Sequence, residues 1–178
     1  MIIEKTTMDD IDYIMTWINH PEVTQYFAGL NNDISREDEA KYLQALITSD
    51  KDEVYSIFSD SKEYLGQISI NRIYRHPDGV GGEGRLFVVI KPGFNGRSYA
   101  QEAISKILKI AFTELDLNRV HLIVRQDSFK ALHLYHKCGF RQEGVLQQKY
   151  RLDREYLDMI LMAITKDLWW RWSGEYKN

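Results

Sequence analysis

The chain has 178 residues, of which 23 are basic and 26 acidic, so its formal net charge is −3 with histidine neutral. This balance argues against nucleic acid as the main partner, and the length suits a single domain over residues 1–178 that buries its own core. A single cysteine excludes an internal disulfide, and the early charges of MIIEKTT and the lack of a long apolar run predict a cytoplasmic protein without membrane contact.

The first third of the sequence has the pattern of one short strand followed by helices. Residues 2–6 suit a strand, and Pro21 suits the first turn of a short helix. Ser35, three residues before Asp38, is typical of the start of a longer helix. An earlier helix over residues 8–18 is predicted by apolar residues at helical spacing, namely Ile11, Ile14, Met15 and Ile18.

The rest of the chain alternates strands and helices. Residues 54–60 and 64–75 alternate as the strands of a hairpin do, and RLFVVIK at 85–91 is a third strand. An apolar stripe over residues 100–115 predicts a long helix with one buried face. A strand at 120–124, a short helix, two strands around a turn and a last helix follow. This order predicts an α/β (α+β) fold: a mixed, mostly antiparallel sheet of about seven strands, with helices on both faces and two βαβ-like units at its centre.

Two glycine groups have the composition of a phosphate-binding loop. Gly79, Gly81 and Gly84 form a literal G-x-G-x-x-G. A dinucleotide fingerprint needs a helix directly after its glycines, because the helix N-terminus faces the pyrophosphate. These glycines lead into a strand instead. The match is therefore interpreted as accidental, within a hairpin-like connection between two strands.

The second group, PGFNGRSY, lies between a predicted strand and the long helix. Ser98 and Gln101 have the spacing of a capping box, which places the helix start near Ser98. Backbone N–H groups from Gly96 to Ala100 then point outward, and together with the helix dipole they form an anion site to which Arg97 adds charge. An ordinary capped helix with nothing bound explains the same spacing.

This loop resembles that of the GNAT superfamily of acetyl-CoA-dependent N-acetyltransferases, whose pattern is Gln/Arg-x-x-Gly-x-Gly/Ala before a helix. Asn95, Ser98 and Ala100 occupy those positions. The resemblance continues through FTELDLNRVHLIV, SFKALHLYHKCGF and EGVL, and it covers at least residues 64–165. The helical first third resembles the branch with ribosomal-protein, amino-sugar and spermidine N-acetyltransferases. Asn95 and Ser98 depart from the pattern, as does Ser128 where the family usually carries Asn, so we expect rearranged contacts to the coenzyme.

The resemblance implies an acetyl-CoA site and no metal. The pantetheine arm is expected along the main chain of one strand, at Val88, Val89 and Ile90, as an added strand would bind. The second cofactor motif falls at Ser128 and Ala131. The pyrophosphate is expected on the loop and helix start, at Asn95, Gly96, Arg97, Ser98, Tyr99 and Ala100.

Two residues are candidates for proton transfer. Tyr135 occupies the position of the family tyrosine that protonates the departing sulfur, although a core tyrosine would fit the same spacing. Glu83 is the candidate acceptor of the amine proton, directly or through water. The family glutamate falls two residues later, where this chain has Arg85, so a solvated carboxylate at Glu83 and proton loss to bulk water are alternatives.

The implied acceptor is a primary amine, with a polyamine such as spermidine favoured and a protein N-terminus or an amino sugar as alternatives. Tyr26 and Phe27 would wall its pocket, or else belong to the core. An acidic cluster beside this region would attract a cation, or simply be a solvated helix start; its members are Asp33, Glu37, Asp38 and Glu39.

The competing class is a non-catalytic module that binds CoA or another protein. The aromatic C-terminal run LWWRWSGEY is compatible with a lid on the core and with a contact between subunits of a homo-oligomer. Cys138 is predicted to be a small core residue, and His133 and His136 lack further metal ligands at suitable spacing.

Overall fold

The computed structural model describes residues 1–24, 33–152 and 154–174. Its strands are β1 (Ile2–Lys5), β2 (Glu53–Phe58), β3 (Tyr64–Arg75), β4 (Gly82–Ile90), β5 (Arg119–Arg125), β6 (Arg141–Leu152) and β7 (Glu155–Thr165). Its helices are α1 (Ile11–Met15), α2 (Pro21–Thr24), α3 (Arg36–Thr48), α4 (Tyr99–Lys109), α5 (Phe129–Lys137) and α6 (Lys166–Ser173). None of the helices in these residues is long and apolar enough to cross a membrane.

The strands form one seven-stranded sheet in the order β1-β2-β3-β4-β5-β7-β6. Only β4 and β5 are parallel neighbours, and every other pair is antiparallel. The predicted mixed, mostly antiparallel sheet is confirmed. Of the two predicted βαβ-like units, β4-α4-β5 has neighbouring parallel strands, whereas β7 inserts between β5 and β6 in the second.

Helices cover both faces of the sheet, as predicted. The back face packs on α4, α5 and α6 around a large core that includes Leu86 and Ile104. The opposite face, here called the front face, packs on α1, α2 and α3, and Val89 belongs to this smaller core. Because side chains alternate along a strand, the front face also carries Glu83, Arg85 and Phe87.

The helices begin and end largely for the reasons that the sequence gives. The Ser35 side chain accepts a hydrogen bond from the Asp38 amide at 3.1 Å and caps α3. The middle of the apolar stripe of α4 is fully buried, at Ala103, Ile104, Ile107 and Leu108. Its last turn is a π-helix over Ile110–Glu114, a widening that the 3.6-residue spacing does not predict. The aromatic C-terminal run acts as a lid on the core, since Trp169 in α6 is buried against Phe112.

The G-x-G-x-x-G match is structurally accidental, as predicted. Gly79 and Gly81 lie in the connection between β3 and β4, and Gly84 lies inside β4. A Cβ on Gly84 would come 2.3 Å from Ile70 Cγ2, so the lack of a side chain there serves core packing.

Gly66 allows the close approach of β3 to β4, and its replacement by alanine is expected to lower the free energy of unfolding by about 2 kcal/mol or more. A Cβ at this position would meet the Val89 carbonyl oxygen at 2.1 Å, and φ is +150°. Urea denaturation measures the loss. Gly93→Ala is the matched control, since its φ is +87° but no atom lies within 4 Å of its Cβ; we expect about 1 kcal/mol there. Equal losses in both variants would contradict a steric role for Gly66.

Candidate active site

The central feature of the site is a fork between β4 and β5. Their parallel pairing covers Glu83, Gly84 and Arg85 of β4 and ends at the rung between Arg85 and His121. Beyond it β5 pairs only with β7, and β4 pairs only with β3. The main chain of β4 from residue 87 to residue 90 therefore faces an open slot, into which an extended molecule can insert as an added strand.

The slot opens toward the loop that precedes α4. Gly96 and Ser98 have left-handed backbone angles, with φ of +80° and +63°. The first hydrogen bond of α4 runs from the Glu102 amide to the Ser98 carbonyl at 3.0 Å. The amides of Tyr99, Ala100 and Gln101 consequently have no acceptor within the helix, and they form the donor cradle that a phosphate group needs.

Two cations flank this cradle. The Arg97 guanidinium lies 5.5 Å from the centre of the Phe94 ring, and the Lys91 ammonium lies 5.9 Å from it. Phe94 itself packs against the main core. A partly buried ring thus holds both charges at the loop, which favours a polyanion over a neutral ligand.

The predicted capping box at Ser98 is wrong. Ser98 is the residue before α4, as expected, but its side chain makes no capping hydrogen bond. The reason is its left-handed conformation, because an N-cap side chain reaches the helix amides from extended backbone. Glycine adopts this conformation without the cost that serine bears.

Ser98→Gly is therefore expected to raise the free energy of unfolding by about 0.5 to 1 kcal/mol, and to tighten CoA binding by letting the main chain approach the phosphate. Thermal unfolding and calorimetric titration with CoA measure the two effects. Ser105→Gly provides the control, since Ser105 is exposed within α4. There the same substitution should destabilise the protein by a similar amount. Destabilisation by Ser98→Gly would refute the proposed strain.

Helix α5 lies on the back face, after the diverging end of β5, and contacts α4. Tyr135 is partly buried there, with its ring 6.0 Å from that of Phe140. Ala131 packs on the same core, and Ser128 precedes the first turn of α5. Cys138 is fully buried, and burial raises the pKa of its thiol to about 12, so it is the predicted core residue and not a nucleophile.

Glu83 lies on the front face at the closed end of the fork. Its Oε2 accepts a hydrogen bond from Arg119 Nε at 3.1 Å. Arg119 also forms a bidentate pair with Glu143 in β6, with both N–O distances at 2.7 Å. His121 Nδ1 lies 3.9 Å from the same Glu83 oxygen. The predicted proton acceptor is thus one member of a charged group that spans three strands.

A buried polar stripe runs along β3 on the front face. Gln67, Ser69 and Asn71 lie opposite Val89, Phe87 and Arg85, respectively, in the ladder between β3 and β4. Gln67 is only 8 % exposed, and its Nε2 has no hydrogen-bond partner among the described residues. Asn71 Oδ1 is likewise buried without a partner there. Unsatisfied polar atoms of this kind mark a surface suited to a polar ligand.

Glu39 of α3 lies close to Tyr42 on the same helix and to Tyr64, the first residue of β3. Burial raises the pKa of both tyrosines, and the charge of Glu39 raises both further. Tyr64 belongs to the smaller core on the front face, so Glu39 lies on the side of the sheet that carries the stripe.

Glu39 differs from the rest of the predicted acidic cluster. Asp33, Glu37 and Asp38 are exposed, as a solvated helix start would be, whereas Glu39 is only 5 % exposed. Burial alone raises the pKa of its carboxyl to about 7. No hydrogen bond or ion pair to that carboxylate occurs within the described ranges of the chain. A buried carboxylate without a partner is a ready site for a cation.

The remaining residues singled out from the sequence are either exposed on α5 or not among the described residues. Tyr26 and Phe27 fall outside the described residues. His133 and His136 are exposed on α5. Among the residues with described positions, no group of three or more His, Cys, Asp or Glu side chains is arranged to hold a metal ion.

Comparison with known proteins identifies the family. Residues 1–141 match the family model of the acetyltransferase (GNAT) domain. The chain belongs to the GNAT acetyltransferase family. The resemblance found in the phosphate loop is thereby confirmed at the level of the family.

Curated GNAT relatives include a spermidine N(1)-acetyltransferase of Vibrio cholerae, which is 33% identical over 97 residues, covering 54% of this chain and 52% of the relative. The chain thus spans about half the length of the curated spermidine N(1)-acetyltransferases that it matches. YoaA, an uncharacterised N-acetyltransferase of Bacillus subtilis, is 30% identical over 155 residues, or 83% of each chain.

Solved GNAT structures share the fold. The crystal structure of a Vibrio cholerae spermidine N-acetyltransferase in complex with CoA and spermine superposes with a TM-score of 0.85 at 21% identity, over 94% of this chain and 96% of the other. At this identity the likeness establishes the fold alone, and it confirms the fold class predicted from the sequence.

Two functional candidates in this GNAT chain, the QISIN stripe and His121, belong to no recognisable motif, and a third, Glu39, is predicted only as one member of the acidic cluster. The β3 segment QISIN alternates polar and apolar residues, which normally indicates one solvated face. Here Ile68 and Ile70 lie in the large core, and Gln67 and Ser69 on the opposite face are buried as well. Glu39 is indistinguishable from its acidic neighbours in the sequence, and His121 lies in a strand without any motif. For QISIN, the available signal is a polar stripe in a strand predicted to be central.

Proposed function

We propose that this protein transfers the acetyl group of acetyl-CoA to a primary amine of a polyamine by direct attack. The observation that supports this most strongly is the fork. The pairing of β4 with β5 ends after Arg85, and β4 then leads to the donor cradle before α4. A thioester on a long amide-containing arm with a pyrophosphate at its end fits such a slot, because the arm can bond to strand main chain while the pyrophosphate meets helix amides.

The coenzyme residues are proposed accordingly. Val88, Val89 and Ile90 bond to pantetheine through their main chain. The amides of Gly96 to Ala100 hold the pyrophosphate, and Lys91 and Arg97 add charge, so that binding aligns the thioester at the closed end of the fork. Ser128 and Ala131 at the start of α5 complete the cofactor site, and Asn95 lies at the loop entrance.

The chemistry needs a base for the amine and an acid for the departing thiolate. The ammonium form of the amine loses one proton to a base on the front face, and its nitrogen then bonds to the carbonyl carbon of the thioester. The carbon–sulfur bond breaks, and Tyr135 gives its phenolic proton to the departing thiolate from the back face. The second proton that the nitrogen loses as the amide forms restores the Tyr135 hydroxyl. An alkylamine with a pKa of about 10 arrives mainly as ammonium, so the base is needed near neutral pH.

The proposed acceptor is a polyamine, because the front face offers a buried anion. Glu39 holds the ammonium group of the acceptor that does not react, and the stripe of Gln67, Ser69 and Asn71 satisfies its remaining N–H groups. The relatives named for spermidine acetylation support the same substrate class. Protein N-termini and amino sugars remain the alternatives, since they offer one cationic amine rather than two or more.

Thiol release from acetyl-CoA, measured over a panel of polyamines, amino sugars, aminoglycosides and N-terminal peptides, tests the proposal. We expect turnover with spermidine or spermine and at least tenfold lower kcat/KM for monoamines of equal length, because these lack the group for Glu39. Calorimetric titration with CoA accompanies the panel. Binding of CoA without turnover on any amine would favour the non-catalytic module instead.

A further inference from the structure

His121 lies at the closed end of the fork, where the reacting atoms are expected. It forms the last rung of the parallel ladder with Arg85, on the front face. Beyond this rung the slot begins, so a thioester that reaches the end of the slot lies beside the imidazole. The neighbouring β5 residues Val120 and Leu122 point into the back-face core, which confirms that His121 faces the acceptor side.

The two edges of the imidazole have different surroundings. Nδ1 is fully buried and has no hydrogen-bond partner among the described residues, and Glu83 Oε2 lies 3.9 Å from it. The side chain as a whole keeps 22 % of its surface exposed, so the accessible part of the ring lies away from Nδ1, on the Nε2 side. A carboxylate behind Nδ1 favours the proton on that nitrogen and leaves the Nε2 lone pair available.

Burial favours the neutral form of the ring. Burial lowers the pKa of His121 below its ordinary value, and Arg119 and Arg85 lower it further. Glu83 and Glu143 oppose this effect without reversing it. The ring is therefore unprotonated at pH 7 and able to accept a proton, while the two carboxylates stabilise the imidazolium that results.

We propose that His121 is the general base of the reaction, a role that rests on the proposed acetyl transfer. The ammonium form of the acceptor gives one proton to His121 Nε2, and the neutral amine that results bonds to the carbonyl carbon. As the carbon–sulfur bond breaks, the nitrogen loses its second proton, which replaces the one that Tyr135 gives to the thiolate. The product is an amide, and the proton returns from the imidazolium to solvent. Glu83 acts as a positioning residue, held by Arg119 and placed behind Nδ1.

This assignment gives acid and base to opposite faces of the sheet. Tyr135 belongs to α5 on the back face, and His121 lies beside the slot on the front face. The amine then enters from one side, and the thiolate receives its proton from the other. Base and acid are thus separate groups, as direct attack requires.

The pH dependence of His121→Asn tests the proposal. Asparagine keeps a donor near the Nδ1 position but has no base. With spermidine at pH 7 we expect kcat/KM to fall about 10² to 10³-fold. Between pH 7 and 9 the deficit should shrink about tenfold per unit, because the neutral amine fraction grows by that factor below the amine pKa of about 10 and needs no base. A purely structural role predicts a deficit that does not change with pH.

The controls separate this inference from the proposed function. His76→Asn changes an exposed histidine in the connection between β3 and β4 and should leave kcat/KM unchanged. Glu83→Gln should move the acidic limb of the wild-type profile to lower pH, since Glu83 raises the pKa of His121. A deficit in His121→Asn that is below threefold, or constant with pH, overturns the base assignment while wild-type turnover stands. Absence of wild-type turnover on every amine overturns the proposed function and, with it, this role.

Discussion

Tyr135→Phe is expected to lower kcat with spermidine by about 10² to 10⁴-fold while CoA binding stays within twofold of the wild type. In the proposed mechanism the phenol supplies the proton that the departing thiolate needs. Phenylalanine keeps the ring packed against Phe140 but has no proton to give. Steady-state kinetics and calorimetric titration with CoA measure the two quantities. Loss of kcat with retained binding is the signature of an interaction made only as the sulfur leaves.

Tyr74→Phe is the matched control for this variant. Tyr74 is 54 % exposed near the end of β3 and should tolerate the loss of its hydroxyl without kinetic effect. If Tyr135→Phe retains more than half of the wild-type kcat, the thiolate leaves without this proton, and Tyr135 is only a packing residue. Equal loss in both variants would point to a general effect on the fold.

Glu39→Gln is expected to raise the KM for spermidine about 10 to 100-fold, with a smaller change for a monoamine of similar length. The carboxylate is buried without a partner among the described residues, so a bound ammonium gains a charge-assisted bond that glutamine cannot replace. For the wild type we also expect the spermidine KM to rise as the pH falls through 7, because protonation removes the anion. Initial-rate kinetics across pH 6 to 9 measure both effects.

Although Glu39→Gln should bind spermidine more weakly, it should be more stable than the wild type at high pH. The pKa of Glu39 is about 7 in the folded protein, against 4.5 for a solvent-exposed glutamate. Between these values the native state holds more protons than the unfolded state, so the stability of the wild type falls as pH rises from 4.5 to 7. Above pH 7 the buried charge costs up to about 3 kcal/mol, which glutamine removes. Urea denaturation at pH 5 and pH 8 should show the variant gaining stability only at the higher pH.

Glu37→Gln serves as the control, since Glu37 is exposed on the same helix and forms an ion pair with Lys41, four residues on, at 2.7 Å. It should change neither the KM nor the pH dependence of stability. An unchanged spermidine KM in Glu39→Gln would show that the acceptor's cationic group binds elsewhere. The stability result would stand independently of it.

The fold is largely predictable from this sequence because the strongest patterns are local. Alternation in the β2–β3 hairpin and the apolar stripe of α4 each report which side of an element is buried. The order of β5, β6 and β7 is not local. β7 inserts between strands that precede it, and no spacing within any one segment specifies that insertion. The left-handed conformation of Ser98 is also not predictable from the sequence, because Ser-x-x-Gln forms a capping box only if the serine backbone is extended.

The candidate site divides in the same way. The loop proposed to bind the coenzyme can be recognised in the sequence, because PGFNGRSY lies between a predicted strand and the start of a predicted helix. The front face is built from β3, β4, β5 and α3, and its character depends on which side chains are buried together. Glu39 and His121 acquire their chemistry from burial and from neighbours more than thirty residues away, such as Glu83 beside His121. A single sequence does not report that proximity.

The short ladder between β4 and β5 also has a mechanical consequence. Four strands lie on one side of it and three on the other. Among the described strands, the two halves are joined by main-chain bonds at the rungs of residues 83 to 85 of β4 and, next to them, from the Asn118 amide to the Gly82 carbonyl. The two halves of the sheet can therefore rotate slightly relative to each other at this ladder without breaking any other one. A coenzyme arm bound in the gap would bridge β4 and β5 and restrict this motion. The sheet would then be most rigid with the coenzyme bound, before the second substrate enters.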